Sequence, residues 1–195
     1  MTETRHPDRR NLGTKPTLTW VEGDALVQSD DAGTILHRFS FDAIADVRLA
    51  VEMAGQTSQV VCRVRNHDKQ EIVFGSMTFK GPGVFEGRYE TFSALLRELH
   101  VALLPHRDRI RFLEGQSMAF MITMFALGAL ILAMGIFFFI VLFLQQENPM
   151  GLGMIAVIAG GVWLVRLFWP RGPKAYDPET YARTPEAVTP PAADQ

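Results

Sequence analysis

The sequence predicts an α+β protein: an antiparallel sheet capped by one amphipathic helix, followed by a transmembrane pair of helices. Three observations carry this. Over residues 17–76 apolar and polar positions alternate with period two between turn residues, as antiparallel strands do. Over 89–104 the apolar residues Phe92, Leu95, Leu96, Leu99 and Leu103 recur at spacings of three and four, the stripe of a helix that covers something. From Gly115 to Gln146 no residue is charged, and 118–144 is almost wholly apolar, longer than the roughly 20 residues a bilayer span needs.

The average composition conceals this division. A net charge of −2 and 48% hydrophobic residues would suit an ordinary soluble protein, but they average a mixed N-terminal region with a stretch rich in Phe, Leu, Ile, Met and Gly. A chain of 195 residues has room for one modest soluble domain beside the helices. The first 15 residues are polar and lack the apolar run of a secretory signal, so the soluble part is expected in the cytoplasm. Residues 1–16 are expected to be a disordered tail.

Strands are expected over 17–21, 25–29, 34–39, 44–53, 59–66 and 71–76, the first turns being Glu22-Gly23-Asp24 and Asp30-Asp31-Ala32-Gly33. Val47, Leu49 and Val51 alternate with Asp46, Arg48 and Glu52, so one face is core and the other wet. In 77–88 the triplet Gly81-Pro82-Gly83 favours a turn or loop, which leaves either a further strand or an extended contact loop. Pro105 ends the helix. Residues 105–116 then form a basic juxtamembrane link.

The order of short meandering strands, the segment Phe39-Ser40-Phe41-Asp42-Ala43-Ile44-Ala45-Asp46-Val47-Arg48-Leu49 and the closing helix from Phe92 to Leu103 resemble the pleckstrin-homology-like domains of bacterial membrane proteins. Such domains are commonly joined to short transmembrane hairpins. The resemblance covers about residues 17–104 and implies a sheet or barrel of seven strands with a C-terminal helix. It also implies ligand binding in principle, because some relatives hold phosphoinositides with basic residues between the first two strands. Here that loop is Glu22-Gly23-Asp24, whose carboxylates repel a phosphorylated headgroup, so the lipid site is not carried over. Peptide or protein binding along a sheet edge or helix groove stays open.

The first span is expected over 117–145, a turn over 146–149 and the second span over 150–169. Arg107, Arg109 and Arg111 precede the first span, Arg166, Arg171 and Lys174 close the second, and the turn has neither Lys nor Arg. The positive-inside rule then puts both termini on the cytoplasmic side of an inner membrane. These six residues, with Trp163 and Trp169, are the expected membrane-interface anchors: the tryptophans suit an interfacial belt, and Arg166 reaches the interface along its stem. The three arginines before the first span would each gain about 1 kcal/mol near anionic headgroups. Ala129 and Ala133 on one span and Ala156 and Gly160 on the other have helix-packing spacing. Residues 170–195 are proline-rich and expected to be disordered; Tyr176 and Tyr181 either dock this tail or stay unattached.

No catalytic, cofactor-binding or metal-ligating constellation is evident. His37, His67, His100 and His106 are scattered over separate elements, and Cys62 lies on the inward side of a strand, where a thiol packs as a hydrophobe. Phosphate-cradling, dinucleotide and nucleophile-elbow motifs are missing from the sequence. The expected partners are the lipid bilayer, a protein of unknown identity and a second copy of the chain, with no nucleic acid and no cofactor. The function expected is a non-enzymatic interaction or regulatory module held at the membrane, where confinement raises its effective concentration. The alternative is an oligomeric small transport or channel subunit, although Thr123 is almost the only polar side chain in either span.

Overall fold

The computed structural model describes residues 4–54, 57–145 and 148–183. The chain forms two compact units, Met1–Gly115 with Lys174–Gln195, and Gln116–Pro173. It is α+β, with antiparallel sheets and helices, two of the helices being long and apolar.

In the first unit, β1 (His6–Asp8), β2 (Thr17–Glu22), β3 (Ala25–Asp30) and β4 (Ile35–Ser40) form one antiparallel sheet in that order. A second sheet is built on the long pair β5 (Ile44–Ala54) and β6 (Thr57–Asn66), with β7 (Glu71–Gly75) beyond β6. A two-stranded ribbon, β8 (Met77–Gly81) and β9 (Val84–Gly87), leads into helix α1 (Tyr89–Leu103). The chain then adds β10 (Arg111–Glu114) parallel to β5, and after the second unit it returns as β11 (Lys174–Ala175) beside β10 and the short helix α4 (Pro178–Arg183). Among the described residues no sheet closes into a barrel.

The core follows from the two periodicities. Val47, Leu49, Cys62, Val64, Ile72 and Phe74 line the inner face of the second sheet, and Leu26 and Phe39 come from the first. All five apolar residues of the α1 stripe are buried between them. At roughly 2 kcal/mol per buried side chain the stripe contributes about 10 kcal/mol of gross transfer free energy, which is why α1 seats as a lid on the sheets.

Three expectations are corrected here, and the segment left open between a strand and a loop is resolved. Residues 4–16 are not a free tail: β1 pairs with β2, and His6 and Asp8 are buried, His6 bonding the Gly75 carbonyl and Asp8 Oδ2 accepting from the Gly75 N–H. The 77–88 segment is a hairpin of two strands, with Gly83 at φ +73° in its turn, so Gly-Pro-Gly marks a tip and not a break. The 105–116 link contains β10, whose Phe112 is buried beside Ile110. The tail expected from residue 170 onward supplies β11 and α4, with Pro178 opening the helix, a position that needs no backbone N–H; its part beyond residue 183 lies outside the described residues.

The second unit is α2 (Met118–Phe139), extended by a π-helical turn to Gln145, and α3 (Met154–Leu167), preceded by a tight turn at Pro149–Gly153. Ser117 caps α2 by accepting from the Phe120 N–H at 3.2 Å. The helices meet on glycine. A Cβ on Gly161 would stand 2.7 Å from the Leu132 backbone, and one on Gly128 or Gly135 would stand 3.0 Å from Leu164 or Ile158. Three of the four small residues singled out by spacing are not this face: Gly160 has nothing within 4 Å, and Ala133 and Ala156 are exposed, while Ala129 is half-buried.

Candidate functional site

The chain leaves the sheet unit and returns to it at one place. Glu114, the last residue of β10, is paired with Leu49 of β5 on one side and with Lys174 of β11 on the other. The Gly115 N–H closes the junction by donating to the Leu49 carbonyl at 2.8 Å. Beyond it, Tyr176 N–H donates to Phe112 O at 3.2 Å.

A buried clasp holds the returning segment. His100 on α1 contacts the Leu96 carbonyl through Nδ1 at 2.7 Å and the Tyr176 hydroxyl through Nε2 at 2.7 Å. A carbonyl only accepts, so Nδ1 carries the proton and Nε2 accepts from the tyrosine O–H. The Tyr181 ring lies 5.4 Å from His100 and 5.1 Å from Tyr176, edge-on to the latter. Burial pushes His100 down to about 4, away from the charged form, and pushes the Tyr176 hydroxyl up. The imidazole is therefore a neutral link here, not a cation at a helix end.

A second polar cluster sits under β1. His6 donates from Nε2 to Gly75 O at 3.0 Å and presents Nδ1 to the Thr91 hydroxyl at 2.9 Å, while Asp8 Oδ2 accepts from the Gly75 N–H at 3.0 Å. Desolvation lowers His6 to about 4 and raises Asp8 to about 6. Beside it a cleft of about 250 Å³ runs between Pro7, Arg9, Thr78, Phe79, Lys80 and Arg88. Its cations are engaged already: Arg9 donates to the Thr14 carbonyl, and Lys80 and Arg88 share Glu86.

The eight expected anchors divide evenly between the two units. In the sheet unit, Arg107 bonds Glu179 of α4 at 3.1 Å, Arg109 bonds Asp42 at 2.5 Å, and Arg111 lies 3.4 Å from Asp46, which is nearly buried and takes a 2.6 Å bond from Arg65. These arginines, expected as a basic link beside the membrane, stay largely exposed and pair with carboxylates, since β10 lies beside β5 and α4 packs on α1. Lys174 begins β11 and is exposed. In the helical unit Arg166 lies in the last turn of α3, Arg171 is exposed, Trp163 is exposed, and the exposed Trp169 packs its ring against Phe125 at 5.6 Å. Cys62 is buried, and burial pushes its thiol up, so it packs and does not ionise. Among the described residues no group of three or more His, Cys, Asp or Glu side chains is placed to hold a metal ion.

His6, Asp8 and the role of Tyr176 were not picked out from the sequence. The alternation Arg109-Ile110-Arg111-Phe112 was the signal available for β10, and the aromatic pair Tyr176 and Tyr181 was the signal for docking. Comparison with protein-family profiles, with curated proteins and with solved structures gives no match.

Proposed function

We propose that this chain is a non-enzymatic integral membrane protein that presents its sheet unit as an interaction or regulatory domain at the cytoplasmic face of an inner membrane. The observation that carries the reading is the surface of α2 and α3. Only 11% of each apolar stretch is buried within the chain, so Leu130, Phe137, Leu144, Met150 and Trp163 face outward. In water each would forgo about 2 kcal/mol of transfer free energy, which a hydrocarbon environment restores. Glycine-to-backbone contacts between the helices are the packing expected where lipid, not water, is the competitor. The Lys and Arg residues flanking the spans support cytoplasmic termini.

Kinship with bacterial pleckstrin-homology-like membrane proteins is part of the same proposal. It is supported by the antiparallel meander from β2 onward, closed by α1 and joined to a helical pair. The parallel β10 and the returning β11 and α4 are departures from that pattern, and the resemblance implies no ligand at the acidic loop between β2 and β3.

The transport alternative is weakened by Thr123, whose hydroxyl donates to the Ala119 carbonyl of its own helix at 2.9 Å instead of lining a path. Alkaline carbonate extraction of cell membranes tests the central reading. Retention in the lipid pellet is expected, and release into the supernatant would refute it. Recovery of the same membrane-proximal partner in repeated in-cell crosslinking supports the interaction role; its failure to recur would count against it.

A further inference from the structure

The segment that returns after the apolar helices is docked on the sheet unit from outside its core. Among the described residues every member of the large buried apolar cluster lies between Val21 and Phe112, and the returning segment adds Tyr176 and Tyr181, partly buried and packed against it. β11 is two residues long, and both are exposed. α4 has six residues, too few to hold a helix without a surface beneath it. The core is thus drawn from residues that precede the apolar helices, and residues 174–183 are laid upon it.

What holds the segment has the form of peptide recognition. β11 adds a strand to the edge of β10, with Ala175 opposite Leu113, and the Tyr176 N–H continues it by donating to Phe112 O at 3.2 Å. The first side chain read is a tyrosine: its hydroxyl donates to the buried His100 Nε2 at 2.7 Å, a contact that phenylalanine lacks. Three residues on, Glu179 bonds Arg107 at 3.1 Å, and five residues on, the Tyr181 ring lies 5.4 Å from His100. α4 packs on α1, and the His100 ring of α1 lies 5.9 Å from that of Phe112 on β10, so these contacts share one groove.

We infer that the groove between α1 and β10 is a docking site for a tyrosine-containing acidic segment of a partner protein, and that residues 174–183 are a tethered ligand occupying it until the partner displaces them. This rests on the interaction role proposed above, not on membrane residence. Six residues join the resident segment to α3, and a short tether supplies an effective concentration on the order of millimolar. The same segment of a second copy brings the same contacts without the tether and loses to it. A partner that succeeds supplies the tyrosine, the carboxylate three residues on and further contacts of its own, so the resident segment sets a threshold for binding.

Cutting the tether in the full chain tests it. Residues 170–173 are replaced by a protease site, and the purified protein in detergent micelles is cleaved and passed over a sizing column. The freed segment is expected to leave, while the sheet unit keeps its cooperative thermal transition. A fluorescent peptide of residues 172–183 is then expected to bind the cut protein saturably and about tenfold or more tighter than the uncut chain, where the tether competes. The Tyr176→Phe peptide is expected to bind about fivefold more weakly, and His100→Leu in the protein to abolish that difference. Loss of the thermal transition with the segment would make it part of the core and overturn the inference. A segment that stays bound and exchanges with no added peptide, equal affinity of cut and uncut chains, or no saturable binding would overturn it as well. If the peptide fails while one partner still recurs in crosslinking of the parent chain, this groove is wrong and the interaction role survives. If no partner recurs, the role falls and the inference with it.

Discussion

His100 Nε2 and the Tyr176 hydroxyl, 2.7 Å apart and 76 positions apart in sequence, join the helix that precedes the two apolar helices to the strand segment that follows them. The sheet unit is therefore completed only after the chain has been through the second unit and returned. Tyr176→Phe removes the donor and leaves Nε2 buried without its partner, at an expected cost of about 1–3 kcal/mol. Denaturant titration of the purified chain, read by near-ultraviolet dichroism, measures it.

The same clasp is pH-dependent. His100 is lowered to about 4 by burial, so its stabilising contribution is complete above its ordinary value near 6.5 and is lost as pH falls through 4. The loss is about 3 kcal/mol for that shift. His6 loses stability in the same direction, whereas Asp8, raised to about 6, stabilises most below its ordinary value of 3.8 and loses that contribution as pH rises through 6. One histidine and Asp8 thus nearly offset each other. Thermal melts at pH 7 and pH 4 are expected to show a smaller acid loss for His100→Gln and a larger one for Asp8→Asn than for the parent chain.

How far the sequence disclosed this fold depended on whether a signal was local. The α1 stripe, the six strands and the two apolar stretches are local patterns, and each is found within about two residues of its expected limits once the turns that extend α2 to Gln145 and α3 back to Pro149 are counted with their helices. The short β1 is stabilised by contacts such as His6 with Thr91, 85 positions away, which no local pattern carries. Likewise β10 is too short for periodicity to outweigh Arg111 and the Arg107 and Arg109 that precede it, whose partners Asp46, Glu179 and Asp42 come from distant segments. For the helix contact, spacing identified small residues but not the closest approach: Ala129 adjoins Gly128 and Ala133 lies two positions before Gly135, and it is at Gly128, Gly135 and Gly161 that a Cβ would meet the other helix.

That difference is testable by size. Gly161→Leu forces a side chain into the Leu132 backbone, and the expected destabilisation is at least 1–3 kcal/mol, roughly the cost of overpacking a close contact. Gly160→Leu, one residue away in open space, is expected to change little. Unfolding of the two variants by sodium dodecyl sulfate in mixed micelles compares them directly.

Asp46 and Arg111 are unequal members of one ion pair. The carboxylate is nearly buried and serves two arginines, whereas Arg111 is two-thirds exposed and 3.4 Å away. Arg111→Ala is expected to cost less than about 1 kcal/mol, as exposed pairs do. Asp46→Ala, which also strips Arg65 of its partner, is expected to cost more, about 2 kcal/mol. Equal losses in denaturant titrations would contradict this ranking.

The central claim is that α2 and α3 cross the bilayer there and back with the sheet unit on the cytoplasmic side. It is tested most directly by labelling cysteines in intact cells with a thiol reagent that cannot pass the membrane. Met150→Cys, exposed between the helices, is predicted to react in intact cells, whereas Asp68→Cys reacts only after lysis. Equal reactivity of the two sites in unlysed cells, or protection of Met150 until lysis, would contradict the account.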